Sequence, residues 1–193
     1  PITSRLVETA SLAAPAFHAF SCQFDPFTGD HLAVASSCNF GIRGAGRLWI
    51  FRPGQSGTKP ATIDYRDGLF DVAWSEAAPG VLAVAGGDGF VCLVGGATGE
   101  HPVVTARVGI AGGGEVHGVG FGAVDKRGPL AAGTTNGAVA LIDPNSGRLV
   151  HSVKAHNGPL YQVAWSPHVA GVVASCGGDG RISLLDTRVK QPA

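Results

Sequence analysis

The chain has 193 residues, of which 45% are hydrophobic and 15% are charged, a balance that suits a compact domain and leaves no stretch of membrane-spanning length. Because 14 basic side chains balance 14 acidic ones, the chain lacks the positive excess typical of nucleic-acid-binding proteins. We therefore expect neither nucleic-acid binding nor direct insertion into a membrane.

The first sixteen residues precede any strand pattern. Their charged side chains are Arg5 and Glu8, and their apolar residues are too scattered to form the core of a signal peptide. The sequence predicts that residues 1–16 are a leader or a flexible end.

A strand pattern then recurs four times along the chain. The anchors Phe24, Trp74, Phe121 and Trp165 follow one another at intervals of 50, 47 and 44 residues, a period typical of repeated structural units. Larger side chains stand two and four residues before each anchor, and this period of two predicts an inner β-strand. The residues four before the anchors are Phe20, Phe70, His117 and Tyr161.

Each anchor is followed after eight or nine residues by a second apolar run. Three of these runs end at residue pairs that tolerate the positive φ of a tight hairpin, whereas the first unit has a glycine-rich insertion there. Third strands are predicted over residues 47–51, 90–94, 138–142 and 181–185, and outer strands such as 149–153 follow. The hairpin pairs are Asp88-Gly89, Asn136-Gly137 and Asp179-Gly180.

Four strands per unit predict the blades of an all-β propeller. We place blades at about 17–66, 67–114, 115–155 and 156–193. Ile142-Asp143 and Leu185-Asp186 stand where a WD-repeat blade usually carries Trp-Asp, so residues 17–193 resemble a partial, degenerate WD40-type propeller. In the fourth unit His156, Ser175 and Asp179 match three polar positions that tie such a blade together, which implies buried structural hydrogen bonds rather than catalysis.

The sequence offers no convincing set of catalytic or metal-binding residues. The four cysteines include no Cys-x-x-Cys pair, and the seven histidines form no His-x-x-x-His arrangement, so we expect buried free thiols and no metal. The glycines of residues 41–46 are in the wrong order for a dinucleotide fingerprint, and no Gly-x-Ser-x-Gly nucleophile motif occurs. We expect no enzyme activity and no cofactor.

A narrower resemblance covers residues 17–94. Motifs there follow, in order, the pattern of the peroxin-7 family, the WD-repeat receptors for the type-2 peroxisomal targeting signal, and Trp165-Ser166-Pro167-His168 resembles a later blade of that family. The motifs are Phe17-His18, Asp25-Pro26-Phe27, Leu32-Ala33, Asn39-Phe40-Gly41, Gly44-Ala45-Gly46-Arg47-Leu48 and residues 67–76.

This resemblance implies an adaptor without covalent chemistry. Such a receptor binds the N-terminal type-2 signal of cargo proteins and, with a co-receptor and docking proteins, brings the cargo to the peroxisomal import machinery. It is expected in the cytoplasm, cycling to the peroxisomal matrix. The alternative is a WD-repeat scaffold subunit of another multiprotein complex, because a propeller fold does not by itself specify a function.

Two acidic residues are the leading site candidates. Asp67 precedes its anchor by seven residues and Glu115 precedes its anchor by six, so both stand where an inner strand begins. The resemblance implies that they face the basic side chain of an amphipathic signal helix. Leu69, Phe70 and Tyr161 are candidates for the apolar part of the groove. The alternatives are solvated loop carboxylates and aromatic residues that only pack within the blades.

The chain departs from the family in its number of blades. We count four, whereas the family has seven, and an arc of four blades would leave two open sheet faces. A fragment of a longer protein is the simplest account, and self-association of two halves is the alternative.

Overall fold

The computed structural model describes residues 11, 13–42, 44–55, 58–112, 114–122 and 129–189. In these residues fifteen strands form four antiparallel sheets, and within every sheet the strands follow chain order. The strands are β1 His18–Phe24, β2 Leu32–Ser37, β3 Gly46–Phe51 and β4 Ala61–Tyr65; β5 Leu69–Trp74, β6 Leu82–Gly86, β7 Phe90–Gly95 and β8 Val103–Gly109; β9 Val116–Phe121, β10 Leu130–Thr134, β11 Ala138–Asp143 and β12 Arg148–Lys154; and β13 Leu160–Trp165, β14 Val172–Gly177 and β15 Ile182–Asp186.

Each sheet is a meander, which is the architecture of a propeller blade, and the predicted all-β propeller is confirmed. The first three blades have four strands, and the described part of the fourth has three. The apolar cores lie between consecutive blades, since the second strands β6 and β10 are buried along their whole lengths. Their alanines and valines are small enough to sit between two sheets, where both faces of a strand are covered.

Hydrogen bonds join the inner strands of neighbouring blades. The Trp74 indole N–H donates to the backbone carbonyl of Gln23 over 2.9 Å, and the Trp165 indole N–H donates to that of Gly120 over 2.8 Å. Asp71 accepts the backbone N–H of Val119 at 2.9 Å. Burial raises the pKa of the Asp71 carboxyl, while hydrogen bonds from neighbouring groups oppose that shift. The inner strands therefore form one connected layer.

The outer faces of the first and fourth blades are open in the described structure. Ile182 and Leu184 on β15 are 79% and 73% exposed, and Phe24 on β1 is 54% exposed. Cys22 is exposed as well, so the expectation of buried thiols is wrong for this residue. It alternates along β1 with Ser21 and therefore faces away from the second blade.

Most of the predicted leader, residues 1–16, lies outside the described residues. Ala14 and Phe17 nevertheless pack against Val34, Trp49 and Phe51 of the first blade. The Phe17 and Trp49 rings meet edge to face with centroids 5.9 Å apart. The residues immediately before β1 thus cover part of the open face of the first blade. No helix in the described ranges is long and apolar enough to cross a membrane.

Candidate functional site

The candidate binding site lies at one end of the four sheets, where the loops that enter the inner strands and the hairpins between second and third strands are found. In a four-stranded meander, the connection into the inner strand and the hairpin between the second and third strands lie at the same end of the sheet. We name this end the upper face. Its connections are residues 38–45, 66–68, 87–89, 110–115, 135–137, 155–159 and 178–181.

Asp67 stands on the upper face directly before β5. Its carboxylate accepts the backbone N–H of Gly68 at 2.8 Å. A Cβ atom on Gly87, in the hairpin of the same blade, would lie 3.1 Å from the Asp67 Oδ1 atom and 3.3 Å from the Phe70 ring. None of the ion pairs among the described residues includes Asp67.

Aromatic and imidazole rings connect the first three blades at this end. Phe20 and Phe70 meet edge to face with centroids 5.4 Å apart, and the rings of Phe70 and His117 are 4.6 Å apart. The three residues occupy the same position in successive inner strands, and we name them the aromatic row. Phe20 and Phe70 form the apolar part of the row, and Asp67 lies near Phe70, across Gly87.

Glu115 stands at the far end of the aromatic row. Its Oε2 atom lies 3.0 Å from Nε2 of His117, and 49% of the Glu115 side chain is exposed. A depression of about 560 Å³ opens beside it, lined by the second-blade hairpin and residues 109–112. Asp88 in that lining is paired with Arg107, whose guanidinium lies 3.7 Å above the Phe90 ring. Glu115 is therefore the more available carboxylate of the depression.

Leu69 requires a correction. We expected it to line the groove, but it is 1% exposed and packs between the first two blades with Leu48 and Val72. A register shift in β5 lies between Leu69 and Asp71, and alternate residues of the strand point to opposite sides. Phe70 consequently joins the aromatic row, whereas Leu69 is not available to a partner.

Tyr161 lies on the upper face of the fourth blade and is 55% exposed. Its hydroxyl oxygen is 3.0 Å from the place that a Cβ on Gly178 would take. None of the ring contacts among the described residues connects it to His117. The structure therefore brings together Asp67, Phe70 and Glu115, whereas Tyr161 lies on the next inner strand, with its backbone carbonyl beside Gly118.

Phe20 and His117 contact Phe70 in the aromatic row, although sequence reasoning did not select them as site candidates. Both were aligned with Phe70 in the repeat, and their shared position four residues before the anchor was the available signal. The position alone does not show whether rings of different blades touch, because that depends on the angle between sheets.

The polar residues of the fourth blade form an internal network. The two ring nitrogens of His156 each lie 2.9 Å from a partner, Nδ1 from Asp179 Oδ1 and Nε2 from Ser175 Oγ. Asp179 also accepts the backbone N–H groups of Asn157 and Arg181. The hydrogen bond from His156 and these backbone donors lower the pKa of Asp179 to about 2. Within the described residues, no three His, Cys, Asp or Glu side chains are placed to hold a metal ion.

No protein-family model matches the chain. The human peroxisomal targeting signal 2 receptor is 32% identical over 165 residues, which cover 85% of this chain and 50% of the human protein. The Saccharomyces cerevisiae receptor of that name is 26% identical over 202 residues, covering 90% of this chain and 53% of the yeast protein. Peroxisome biogenesis protein 7 of Arabidopsis thaliana is 44% identical over 78 residues, covering 39% of this chain and 25% of the plant protein.

The chain therefore spans about half the length of the human and yeast relatives. The resemblance predicted from its motifs is confirmed: the sequence is similar to peroxisomal targeting signal 2 receptors over most of its length. In a crystal structure of the mitotic checkpoint complex, one chain superposes with a TM-score of 0.73 at 20% identity, covering 91% of this chain and 50% of that one. This likeness concerns the fold alone, a WD40-type propeller.

Proposed function

We propose that this chain is the signal-binding part of a receptor for the type-2 peroxisomal targeting signal. Its relatives bear that name. The observation that carries the proposal is the placement of two carboxylates along the aromatic row, Asp67 near Phe70 and Glu115 against His117. Neither carboxylate has a partner among the described Lys and Arg residues.

An amphipathic helix with a basic residue has the matching chemistry. Its apolar side would lie along Phe20 and Phe70, and its basic side chain would reach Asp67 near Phe70 or Glu115 beside His117. Asp67 is half-buried and therefore partly desolvated before the ligand arrives, so its pairing with a cation is worth more than that of an exposed carboxylate such as Glu115. The aromatic rings hold one another in place, which lowers the entropic cost of binding.

In this proposal the chain acts as an adaptor and performs no covalent chemistry. It binds cargo proteins that carry the signal in the cytoplasm and, with a co-receptor and docking proteins, accompanies them to the peroxisomal matrix. The co-receptor would contact surface that the signal leaves free.

The test is the affinity of a fluorescent type-2 signal peptide, measured by anisotropy against a scrambled peptide. Asp67→Asn and Glu115→Gln keep side-chain shape and remove charge, and each should weaken binding by about five- to hundredfold. Asp30→Asn, an exposed carboxylate in the turn at the opposite end of the first blade, is the matched control and should bind like wild type. Equal affinity of wild type and both site variants would overturn the proposed site, and equal binding of the signal and scrambled peptides would favour a scaffold role.

A further inference from the structure

The connection between β2 and β3 differs from the corresponding hairpins of other blades. It spans residues 38–45, where the second and third blades use residues 87–89 and 135–137. We name its described residues, 38–42 and 44–45, the first-blade loop. Asn39, Phe40 and Gly41 lie consecutively in the left-handed region, with φ of 48°, 57° and 75°. Left-handed backbone is unfavourable for a bulky side chain such as that of Phe40.

The loop is seated on the aromatic row. A Cβ atom at Gly41 would lie 2.6 Å from Cε1 of Phe70 and 3.3 Å from Cζ of Phe20, so a glycine is needed for this close approach. The Ser37 hydroxyl, at the base of the loop, donates to the Leu69 carbonyl over 3.0 Å. The Cys38 N–H donates to the Ala45 carbonyl over 2.9 Å and closes the loop. The loop is therefore built against the strand that begins at the candidate site.

Burial does not explain the conformation of Phe40. Its side chain is 70% exposed, although its ring stacks on His18 with centroids 3.7 Å apart. Ile42, two residues after Phe40, is 87% exposed. Unfavourable backbone conformations that the surrounding structure holds in place concentrate at functional sites. An exposed aromatic ring held in a defined orientation beside the aromatic row thus has the properties of a binding contact.

We infer that the first-blade loop is a preformed side wall of the upper face and that Phe40 contacts the apolar side of an amphipathic helix bound there. This inference rests on the proposed function. The chemistry of the occupant follows from the residues of the upper face. Asp67 and Glu115 favour a basic group, and the rings of Phe20 and Phe70 favour an apolar one. A second copy of the chain meeting face to face would instead bring like charges together.

Replacement of Phe40 by asparagine separates binding from loop stability. Asparagine tolerates left-handed backbone, so Phe40→Asn should unfold at the wild-type temperature or above while losing the ring. We expect its affinity for the type-2 signal peptide to fall about tenfold. Phe27→Asn removes another exposed phenylalanine, 46% exposed in the turn at the opposite end of the same blade, and should bind like wild type.

A second peptide, in which the apolar residues of the signal are replaced by alanine, shows which part of the ligand Phe40 meets. Wild type and Phe40→Asn should bind this peptide equally, because the contact is already absent. An unchanged affinity of Phe40→Asn for the signal peptide would overturn the inference, as would an equal loss with both peptides. Either result leaves the proposed function intact if wild type still prefers the signal to the scrambled peptide. Should Phe40→Asn fail to fold, Phe40→Gly provides the same comparison.

Discussion

The second and fourth blades use the segment before the inner strand in opposite ways. In the fourth blade His156 is fully enclosed, and each ring nitrogen is within 2.9 Å of a partner in the same blade. In the second blade Asp67 is half-buried and accepts a hydrogen bond from the N–H of its own loop neighbour, Gly68. The hairpin aspartates of the two blades differ in the same way. Asp179 contacts the buried His156, whereas Asp88 pairs with Arg107 on the outer strand.

The difference shows that the segment before an inner strand can stabilise the fold in one blade and, in the proposed function, bind a ligand in another. A buried polar group needs a partner, and losing that partner destabilises the protein. A carboxylate at the edge of the upper face is hydrated in the free protein, so leaving it without a cation costs little. The second blade can keep Asp67 uncommitted because Trp74 and the apolar core hold that blade together.

The largest expected effect is on stability and contrasts the two blades directly. His156→Ala leaves Ser175 and Asp179 without their buried partner and should lower the free energy of unfolding by about 2–4 kcal/mol. Asp67→Ala removes a half-exposed side chain and should cost less than about 1 kcal/mol. Urea unfolding measures both. Similar losses for the two variants would contradict the division into a structural and a binding blade.

A smaller effect is expected from two glycines with left-handed backbone. Gly180 has a φ of 73°, and no atom lies near a Cβ added there. Gly180→Ala should therefore lower the free energy of unfolding by about 1 kcal/mol, because an alanine is strained in the left-handed backbone conformation. Gly41→Ala adds contact with Phe70 to the same strain, so its loss of unfolding free energy should reach about 2 kcal/mol. Unfolding by urea gives both values, and equal losses would show that the first-blade loop is not seated on the aromatic row.

The smallest effect is the pH dependence that Asp179 of the fourth blade adds to the stability of the fold. Hydrogen bonds lower the pKa of folded Asp179 to about 2 from an ordinary value of 3.8. A carboxyl group with a lowered folded pKa stabilises the fold above its unfolded pKa, and this contribution is lost as the pH falls from about 4 to about 2. The stability difference between wild type and Asp179→Asn should therefore shrink over that interval.

The difference in stability between wild type and Asp179→Asn isolates the contribution of Asp179. The pKa values of Asp143 and Asp186 are also lowered by hydrogen bonds, but these groups titrate in both proteins and cancel in the difference. A stability difference that stays constant between pH 4 and pH 2 would be incompatible with a charged Asp179 in the network.

The strand pattern was predictable because its causes are local. The second apolar runs were expected to begin at Leu32, Leu82, Leu130 and Val173; the first three strands begin there and the fourth begins one residue earlier, at Val172. Alternating apolar residues and pairs such as Asn136-Gly137 specify strands and hairpins without reference to distant parts of the chain. The positions of Asp67 and Glu115 before inner strands followed from the same pattern, whereas the roles of these residues stay predictions.

The assignment of Leu69 failed for a physical reason. Period two predicts that neighbouring residues point to opposite sides, but it does not say which side is the groove. The shift in register between Leu69 and Asp71 and the packing of the first blade against β5 decide that question. Phe40 was visible in the sequence only as part of a motif, since its left-handed conformation depends on the approach of Gly41 to Phe70.

The sequence by itself determined the repeat, the order of strands, the positions of the tight turns and the placement of two acids before inner strands, because each depends on neighbouring residues. Tertiary structure alone decided which side chains meet across blades: Phe20 with Phe70, Phe70 with His117, and the first-blade loop with both phenylalanines. These contacts join residues that are tens of positions apart, and their existence depends on the angle and spacing between sheets, which no local pattern encodes.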